Sequence, residues 1–140
     1  MTSGPIRILI ADDCVISRRV EELILRRSGY EVSLAADGIE AVDKARSQPP
    51  DLILLDLEMP RLGGLEALKE LKGSSLSRHV PVIVVTTQGD PASRDAARES
   101  GCDGFLTKPF EAEVLVRMIE RNLAPSRRGR SMLQAAGETP

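Results

Sequence analysis

The sequence feature that most constrains the fold is a regular alternation of short apolar runs with longer amphipathic segments. Runs rich in aliphatic residues predict strands at residues 6–11, 31–35, 52–57, 81–86 and 104–107. After each run except the fourth, large apolar residues recur at helical spacing. Because each connection is long enough to hold a crossover helix, the alternation predicts an α/β fold with a five-stranded parallel sheet.

Local signals mark where several of the helices begin. The first helix is predicted from four apolar residues at helical spacing, namely Ile16, Val20, Leu23 and Ile24. Asp37 opens the second helix, whose apolar residues we expect to face inward; these are Ile39, Val42 and Ala45. Asp90 is placed to cap the fourth helix, with Pro91 at its first position. That helix has few large apolar residues, so it is the element best able to shift.

The number of strands and the size of the chain favour one topology. For a chain of 140 residues, we expect a flavodoxin-like, doubly wound (βα)5 fold with strand order 2-1-3-4-5 and helices on both faces. Ligands in such folds bind beyond the carboxyl ends of the strands, where the strand order reverses. Here that point lies between the first and third strands.

Composition excludes several classes of function. Hydrophobic residues make up 41% of the chain and its net charge is −2, so it is neither a wholly disordered chain nor a strongly basic nucleic-acid binder. Aromatic residues make up 2%, which argues against base-stacking surfaces. No apolar run approaches the ~18 residues of a membrane span, and the N-terminus lacks the features of an export signal. We therefore expect a cytoplasmic location and no membrane contact.

The last segment differs from the rest of the chain. Residues 124–140 are rich in Pro, Ser, Gly and Ala, and their three arginines against Glu138 give a net charge of +2 (3 − 1). The segment has no sustained periodicity, so it is predicted to be a flexible C-terminal tail or linker. The remainder, residues 1–123, is predicted to form a single domain.

Polar residues follow the apolar runs at corresponding positions. Asp12 and Asp13 directly follow the first run, Asp56 stands near the end of the third, and Thr86 and Lys108 stand at the ends of the fourth and fifth. In the expected strand order these ends are neighbours. The sequence therefore predicts three carboxylates, a hydroxyl and an ammonium group at one rim of the sheet.

The charges at this rim indicate what it binds. Two carboxylates in close contact repel by about 4 kcal/mol at an effective dielectric constant near 20, so a cation is needed to offset them. Oxygen ligands suit Mg²⁺, whereas His79 is the only histidine available to a metal that prefers nitrogen. With Lys108 as a second positive charge, such a site can hold a phosphoryl group and use a carboxylate as the nucleophile toward phosphorus.

At these positions the chain closely resembles the receiver domain of two-component response regulators, the CheY-like family. The resemblance covers about residues 5–123 and rests on four segments in order, residues 8–13, 54–60 followed by Gly63 and Gly64, 84–87, and 108–110. Each segment alone is a weak motif. Together, at the ends of successive strands, they are specific for the family.

The resemblance implies a role for each rim residue. Asp56 is the implied phosphoacceptor, Lys108 the partner of the phosphoryl oxygens, and Thr86 a hydroxyl donor that moves toward them. The implied Mg²⁺ ligands are the side chains of Asp12, Asp13 and Asp56 and the backbone carbonyl of Glu58. Phe105 occupies the position of a switch aromatic that turns inward when Thr86 moves. The resemblance also implies a cis peptide bond between Lys108 and Pro109.

Two residues depart from the commonest family pattern. Thr87 stands where a smaller Ala or Gly is common, which implies narrower access to the phosphoryl group. Glu58 lies two residues beyond the implied acceptor, where its side chain is able to order or to repel an attacking water. Both departures leave the lifetime of the phosphoryl group open.

The family resemblance also implies partners. Asp56 would receive its phosphoryl group from a sensor histidine kinase or a histidine phosphotransfer protein. Phosphorylation would then alter the surface formed by the fourth helix, fifth strand and fifth helix, which controls a protein target or an effector domain. This role is that of a signalling domain assisting its own phosphorylation and dephosphorylation, not of a classical enzyme. Many receivers dimerise through the same surface, so a second copy of the chain is a further implied partner, and direct nucleic-acid contact is not expected.

Two alternatives stay open at this point. Haloacid dehalogenase-type phosphohydrolases also use an aspartate nucleophile, Mg²⁺, a Thr or Ser and a Lys, and the Asp56-x-Glu58 pair loosely resembles theirs. Their nucleophile, however, follows the first strand rather than the third. The other alternative is a receiver-like module that binds partners without being phosphorylated, against which the complete Asp, Thr and Lys set argues.

Overall fold

The computed structural model describes residues 4–124, in which strands and helices alternate as predicted. The strands are β1 (Arg7–Ala11), β2 (Glu31–Ala35), β3 (Leu52–Leu55), β4 (Val82–Thr86) and β5 (Gly104–Thr107). The helices are α1 (Val15–Arg27), α2 (Gly38–Ser47), α3 (Gly64–Gly73), α4 (Pro91–Glu99) and α5 (Ala112–Asn122). From residue 125 onward the predicted tail lies outside the described residues. None of the described helices is long and apolar enough to cross a membrane.

The strands form one parallel sheet in the order β2-β1-β3-β4-β5, which confirms the predicted topology. β1 lies between β2 and β3, so that Ile8 pairs with Val32 on one side and with Leu52 on the other. The chain moves outward from β1 to β2 and then crosses back to β3. The carboxyl ends of β1 and β3 are therefore neighbours at the point where the strand order reverses.

Helices cover both faces of the sheet, and each face has its own apolar core. Along β1, Ile8 and Ile10 join a cluster with α1 and α5, whereas Leu9 and Ala11 join a cluster with α2, α3 and α4. Successive residues of a strand point to opposite faces, so a strand covered on both sides must be apolar at nearly every position. This explains the continuous apolar runs at β1, β3 and β4.

The apolar stripe that predicts α1 does not form its buried face. Ile16 is 77% exposed, and Val20 and Leu23 are also exposed, whereas Glu21 and Leu25 are buried. The helix is where the spacing predicts it, but its orientation puts most of the stripe on the surface. A carboxylate consequently occupies a position on the sheet-facing side of α1, beside the end of β1.

The predicted cap of α2 is confirmed, but one of the three residues predicted to face inward is exposed. The Asp37 side chain accepts a hydrogen bond from the Glu40 backbone N–H at 2.8 Å, as an N-cap does. Val42 and Ala45 are buried as predicted, but Ile39 is exposed, so its predicted inward orientation is wrong. The small residues of α2 face the neighbouring loop and sheet and leave Ile39 at the surface.

The fourth helix begins at its predicted cap and is weakly anchored. The Asp90 side chain accepts from the Ser93 backbone N–H at 3.1 Å, and Pro91 is the first helical residue. Ala97 is the one buried residue of α4. Since few apolar contacts hold a helix of this kind to the sheet, α4 is the described helix with the least apolar anchoring.

Gly64, the first residue of α3, lies directly against the loop that follows β3. A Cβ atom built on Gly64 would stand 2.5 Å from the Cα of Leu57 and closer still to the carbonyl oxygen of Asp56. Backbone atoms cannot turn away as a flexible side chain does. The absence of a side chain at residue 64 therefore allows α3 to pack against the segment that contains Asp56.

We expect Gly64→Ala to lower the free energy of unfolding by about 1–3 kcal/mol, because the added methyl group forces the backbone apart. Gly73→Ala at the other end of α3 is the matched control, since a Cβ built there meets nothing within 4 Å. The control is expected to leave stability unchanged or to raise it by up to about 1 kcal/mol. Urea denaturation followed by circular dichroism measures both. Equal stability of the two variants would contradict this explanation of Gly64.

Candidate functional site

The sheet itself positions the residues predicted at its rim. Just beyond the strands, backbone N–H groups of rim residues continue the hydrogen-bond ladder to a neighbouring strand. These bonds run from Asp12 to the Ala35 carbonyl at 3.0 Å, from Asp56 to the Ala11 carbonyl at 2.9 Å, and from Lys108 to the Thr86 carbonyl at 2.8 Å. The main chain of each residue is thus held by the sheet, and only its side chain is free to adjust.

Lys108 joins the two buried carboxylates of the rim. Its Nζ atom donates to Asp12 Oδ2 at 2.7 Å and to Asp56 Oδ2 at 2.8 Å, although these residues are 96 and 52 positions away in sequence. Asp12 is 1% exposed and Asp56 7%. The structure therefore brings Asp12, Asp56 and Lys108 together as predicted. The Lys108–Pro109 peptide bond is cis, as the resemblance implied.

The other oxygen of each carboxylate also has a partner. Asp12 Oδ1 accepts from the Cys14 backbone N–H at 2.9 Å, and Asp56 Oδ1 accepts from the Glu58 backbone N–H at 3.1 Å. Buried carboxylates are costly unless they are hydrogen-bonded and paired with a cation. Both conditions hold for Asp12 and Asp56.

The environment of Lys108 keeps its side chain charged. Burial by itself lowers the pKa of a lysine, but the hydrogen bonds to Asp12 and Asp56 and their negative charges outweigh it. The net effect raises the pKa of Lys108 above its ordinary value. Lys108 is consequently a fixed positive charge at neutral pH.

Thr86 and Phe105 lie on adjacent strands at the edge of this cluster. Thr86 is buried, and its Oγ1 accepts from the Gln88 backbone N–H at 3.2 Å, so the hydroxyl oxygen bonds to its own loop. Phe105 is half-buried beneath the guanidinium group of Arg94, which lies 4.9 Å from the ring centroid. Arg94 Nε also donates to the Gly89 carbonyl at 3.1 Å. Arg94 thereby connects the Phe105 ring to the loop that follows Thr86.

A cleft of about 540 Å³ opens onto Asp56. Asp13 is exposed on its rim, and across it Thr87 Oγ1 donates to Glu58 Oε1 at 3.0 Å. The residues that line the cleft are Asp13, Cys14, Ser17, Asp56, Glu58, Met59, Thr87 and Lys108. A groove of about 590 Å³ between α1 and α5 is larger, but it includes none of the predicted site residues. We therefore place the candidate site in the cleft over Asp56.

The oxygen atoms around the cleft are of the type that Mg²⁺ prefers as ligands. Within residues 4–124, no three carboxylate, imidazole or thiol side chains converge closely enough to hold a metal by themselves. Mg²⁺ does not require such a cage, because it commonly binds through one or two carboxylates and keeps several waters. Asp12 and Asp56 share one ammonium partner, and Asp13 and the Glu58 peptide lie at the same cleft. This all-oxygen set fits Mg²⁺ better than a metal that prefers nitrogen or sulfur.

The sequence analysis missed two residues that act on Asp12. Glu21 is 2% exposed, faces Asp12, and accepts from Ser17 Oγ at 3.2 Å. The pKa of Glu21 is raised to about 8, mainly by burial and secondarily by repulsion from Asp12, although the positive charge of Lys108 acts in the opposite direction. Arg18 Nη1 donates to the Asp12 backbone carbonyl at 3.0 Å. Glu21 lies one turn before Leu25 on the buried face of α1, a face that the predicted apolar stripe did not identify.

Comparison with known protein families gives a match over most of the described chain. The family model described as response regulator receiver domain matches residues 8–120. The chain belongs to the family of response regulator receiver domains. It is thus a two-component signalling domain, of a class that is not enzymatic in the usual sense. This membership decides against the haloacid dehalogenase alternative as a class.

Individual relatives agree with the family match. The polar-differentiation response regulator DivK of Brucella anthropi is 34% identical over 119 residues, which are 85% of this chain and 97% of DivK. Among solved structures, the chemotaxis protein CheY4 of Vibrio cholerae has a TM-score of 0.80 and 33% identity, covering 86% of this chain and all of that one. These neighbours have the CheY-like, flavodoxin-like fold.

A further neighbour bears on the cofactor. The receiver domain of the sensor histidine kinase PA1611 from Pseudomonas aeruginosa has a TM-score of 0.80 and 35% identity, with 85% of this chain and 98% of that one covered. It is described with a magnesium ion coordinated in its active site cleft. A receiver domain of similar sequence and fold therefore binds magnesium in its own active site cleft.

We expect the stability of the metal-free protein to depend on Glu21 between about pH 4.5 and 8. In that range the folded state retains a proton that the unfolded state has released, so the free energy of unfolding falls as the pH rises. In Glu21→Gln this contribution should disappear. Urea denaturation at several pH values in the presence of a chelator measures the difference.

The matched control is Glu22→Gln on the same helix. The pKa of Glu22 is lowered, chiefly by its hydrogen bond with Arg26, so its contribution is lost only as the pH falls. Glu22→Gln should therefore retain the parent slope between pH 4.5 and 8. Identical slopes for the parent and Glu21→Gln would show that Glu21 is not the titrating group.

Proposed function

We propose that Asp56 accepts a phosphoryl group from a phosphohistidine of a sensor histidine kinase or a histidine phosphotransfer protein. The observation that supports this most directly is the Lys108 ammonium group on Asp56 Oδ2, at the base of a cleft open to solvent. In this proposal residues 1–123 are the phosphoacceptor domain and residues 124–140 a tail or linker. Two-component receiver membership supports the donor class.

The transfer requires the Asp56 carboxylate to exchange one of its present partners for phosphorus. An Asp56 oxygen forms the new bond to phosphorus as the bond from phosphorus to the donor nitrogen breaks, and the imidazole leaves with the electron pair and gains a proton. Lys108 stays within reach of the oxygens whose charge must be neutralised. Positioning and charge neutralisation of this kind account for most of the catalysis of phosphoryl transfer.

In this proposal Mg²⁺ is the second cation of the site, in addition to the ammonium group of Lys108. The side chains of Asp12, Asp13 and Asp56 and the backbone carbonyl of Glu58 would hold it. When bound, it supplies positive charge to phosphoryl oxygens and offsets the repulsion among the carboxylates. The magnesium in the PA1611 receiver domain supports this assignment.

A phosphoryl group on Asp56 would change the charge of the site and the hydrogen bonding of Thr86 at its edge. It replaces the single negative charge of the carboxylate by about 1.5 to 2 negative charges, and the Thr86 hydroxyl would leave the Gln88 N–H and donate to a phosphoryl oxygen. Reversing a 1:99 equilibrium takes about 5.5 kcal/mol. A few charge-assisted hydrogen bonds at about 1.5–3 kcal/mol each approach that value.

The proposed output surface is formed by α4, β5 and α5. Phe105 is the proposed switch aromatic, since Arg94 connects its ring to the Gly89 carbonyl in the loop after Thr86. The single buried residue of α4, Ala97, leaves that helix free to shift with the loop. The altered surface would bind a protein target, an effector domain or a second copy of the domain, and no direct nucleic-acid contact is proposed.

We expect Asp56→Asn to abolish formation of a base-labile acyl phosphate during incubation with acetyl phosphate and Mg²⁺. Asp43→Asn, an exposed residue of α2, is the control and should be modified like the parent. Intact-protein mass spectrometry measures the product, and a chelator should prevent it. A parent that stays unmodified under these conditions would leave the module that binds without phosphorylation as the better description.

We also expect phosphorylation to move backbone NMR resonances between residues 86 and 123, including Phe105, while β2 changes little. The physical reason is that Thr86 and Lys108 respond to the new charge and β2 lies at the opposite edge of the sheet. The same spectra of Asp56→Asn provide the control and should not change. Unchanged spectra of the phosphorylated parent over residues 86–123 would refute the proposed output surface.

A further inference from the structure

One hydrogen bond joins the two loops that border the acceptor cleft. Glu58 belongs to the β3–α3 loop (residues 56–63), and Thr87 begins the β4–α4 loop (residues 87–90). Thr87 Oγ1 donates to Glu58 Oε1 at 3.0 Å, and both residues line the cleft with Asp56 and Lys108. The bond therefore lies across the approach to the acceptor.

The Glu58 end of this bond is held firmly. The Glu58 N–H donates to Asp56 Oδ1, and Arg61, farther along the same loop, pairs with Asp37 at 2.8 Å. Gly64 then packs α3 against the loop backbone. Bonds at both ends of the β3–α3 loop keep Glu58 in place.

The Thr87 end of the bond lies where the proposed function requires movement. Thr86 must turn its hydroxyl away from the Gln88 N–H to reach a phosphoryl group, and Thr87 is the next residue. Rotation of this peptide segment changes the position of Thr87 relative to Glu58. The hydrogen bond between them therefore opposes the movement that places Thr86 at the acceptor.

We propose that the Thr87–Glu58 hydrogen bond gates the acceptor cleft: while it is intact, it holds the β4–α4 loop in the resting position and slows phosphorylation of Asp56. This inference rests on the proposed function of Asp56. Thr87 and Glu58 are positioning residues in this role, since they act through the loop and not on phosphorus. The gate sets the rate of phosphorylation and not the identity of the acceptor.

Two substitutions separate the hydrogen bond from the bulk of the Thr87 side chain. Thr87→Val keeps the bulk of the side chain but removes its hydroxyl group. Thr87→Ser keeps the hydroxyl group and removes a methyl group.

The assay is the initial rate at which the full chain is phosphorylated by acetyl phosphate at saturating Mg²⁺, followed by intact-protein mass spectrometry. In this reaction an Asp56 oxygen bonds to phosphorus, the bond from phosphorus to the acetyl oxygen breaks, and acetate leaves with the electron pair. Thr87→Val should raise the rate about two- to tenfold, the effect of losing one hydrogen bond. Thr87→Ser should stay within about twofold of the parent.

Amide hydrogen exchange in the unphosphorylated protein gives a second readout that altered access to the cleft alone would not change. The Gln88 and Gly89 amides should exchange faster in Thr87→Val and at the parent rate in Thr87→Ser. If Thr87→Val has the phosphorylation rate and the amide exchange rates of the parent, the proposed gate is overturned. Equal acceleration by Thr87→Val and Thr87→Ser assigns the effect to side-chain bulk, and this result also overturns the gate.

The proposed function and the gate fail in different ways. If the parent and every variant stay unphosphorylated, the proposed function of Asp56 fails and the gate fails with it. If the parent is phosphorylated at Asp56 and Thr87→Val behaves like the parent, the gate alone fails. Urea denaturation of each variant confirms that the compared proteins are equally folded.

Discussion

The ammonium group of Lys108 is the interaction on which the rest of the site depends. It lies between Asp12 and Asp56, two buried carboxylates from different strands. Removing one partner from such a buried group leaves an uncompensated charge, which costs far more than a surface ion pair contributes. Because the Lys108 N–H also bonds to the Thr86 carbonyl, the position of this charge is set by the sheet. Lys108 therefore provides both the central positive charge of the site and a backbone hydrogen bond that continues the sheet.

Much of this arrangement follows from the sequence, because parallel strands place their carboxyl ends at one edge. The apolar runs predict the strands, and the polar residue after each run then lies at that edge. Asp12, Asp56 and Lys108 could accordingly be placed together before any contact was known. Helix starts with a side-chain cap, at Asp37 and Asp90, were equally predictable since their signals are local.

The orientation of helices and the loop contacts could not be predicted in this way. An apolar stripe shows that α1 is a helix, but its rotation on the sheet depends on packing with α5 and β1, so Ile16 faces outward and Glu21 inward. Ile39 is exposed for a similar reason, since α2 also packs against the β3–α3 loop. The Thr87–Glu58 bond joins residues 29 positions apart in two loops, and no periodicity reports such a contact.

The two sides of the cleft differ in how firmly the fold anchors them, and the side that leads into α4 is anchored by fewer apolar contacts. On one side, Asp56, Glu58 and Gly64 are fixed by backbone contacts, and Arg61 is paired with Asp37. On the other, the β4–α4 loop leads into a helix with one buried residue. If a phosphoryl group is added at Asp56, the side with fewer apolar contacts is expected to move first. In the proposed function, this asymmetry of anchoring would direct the response to phosphorylation toward α4 and β5.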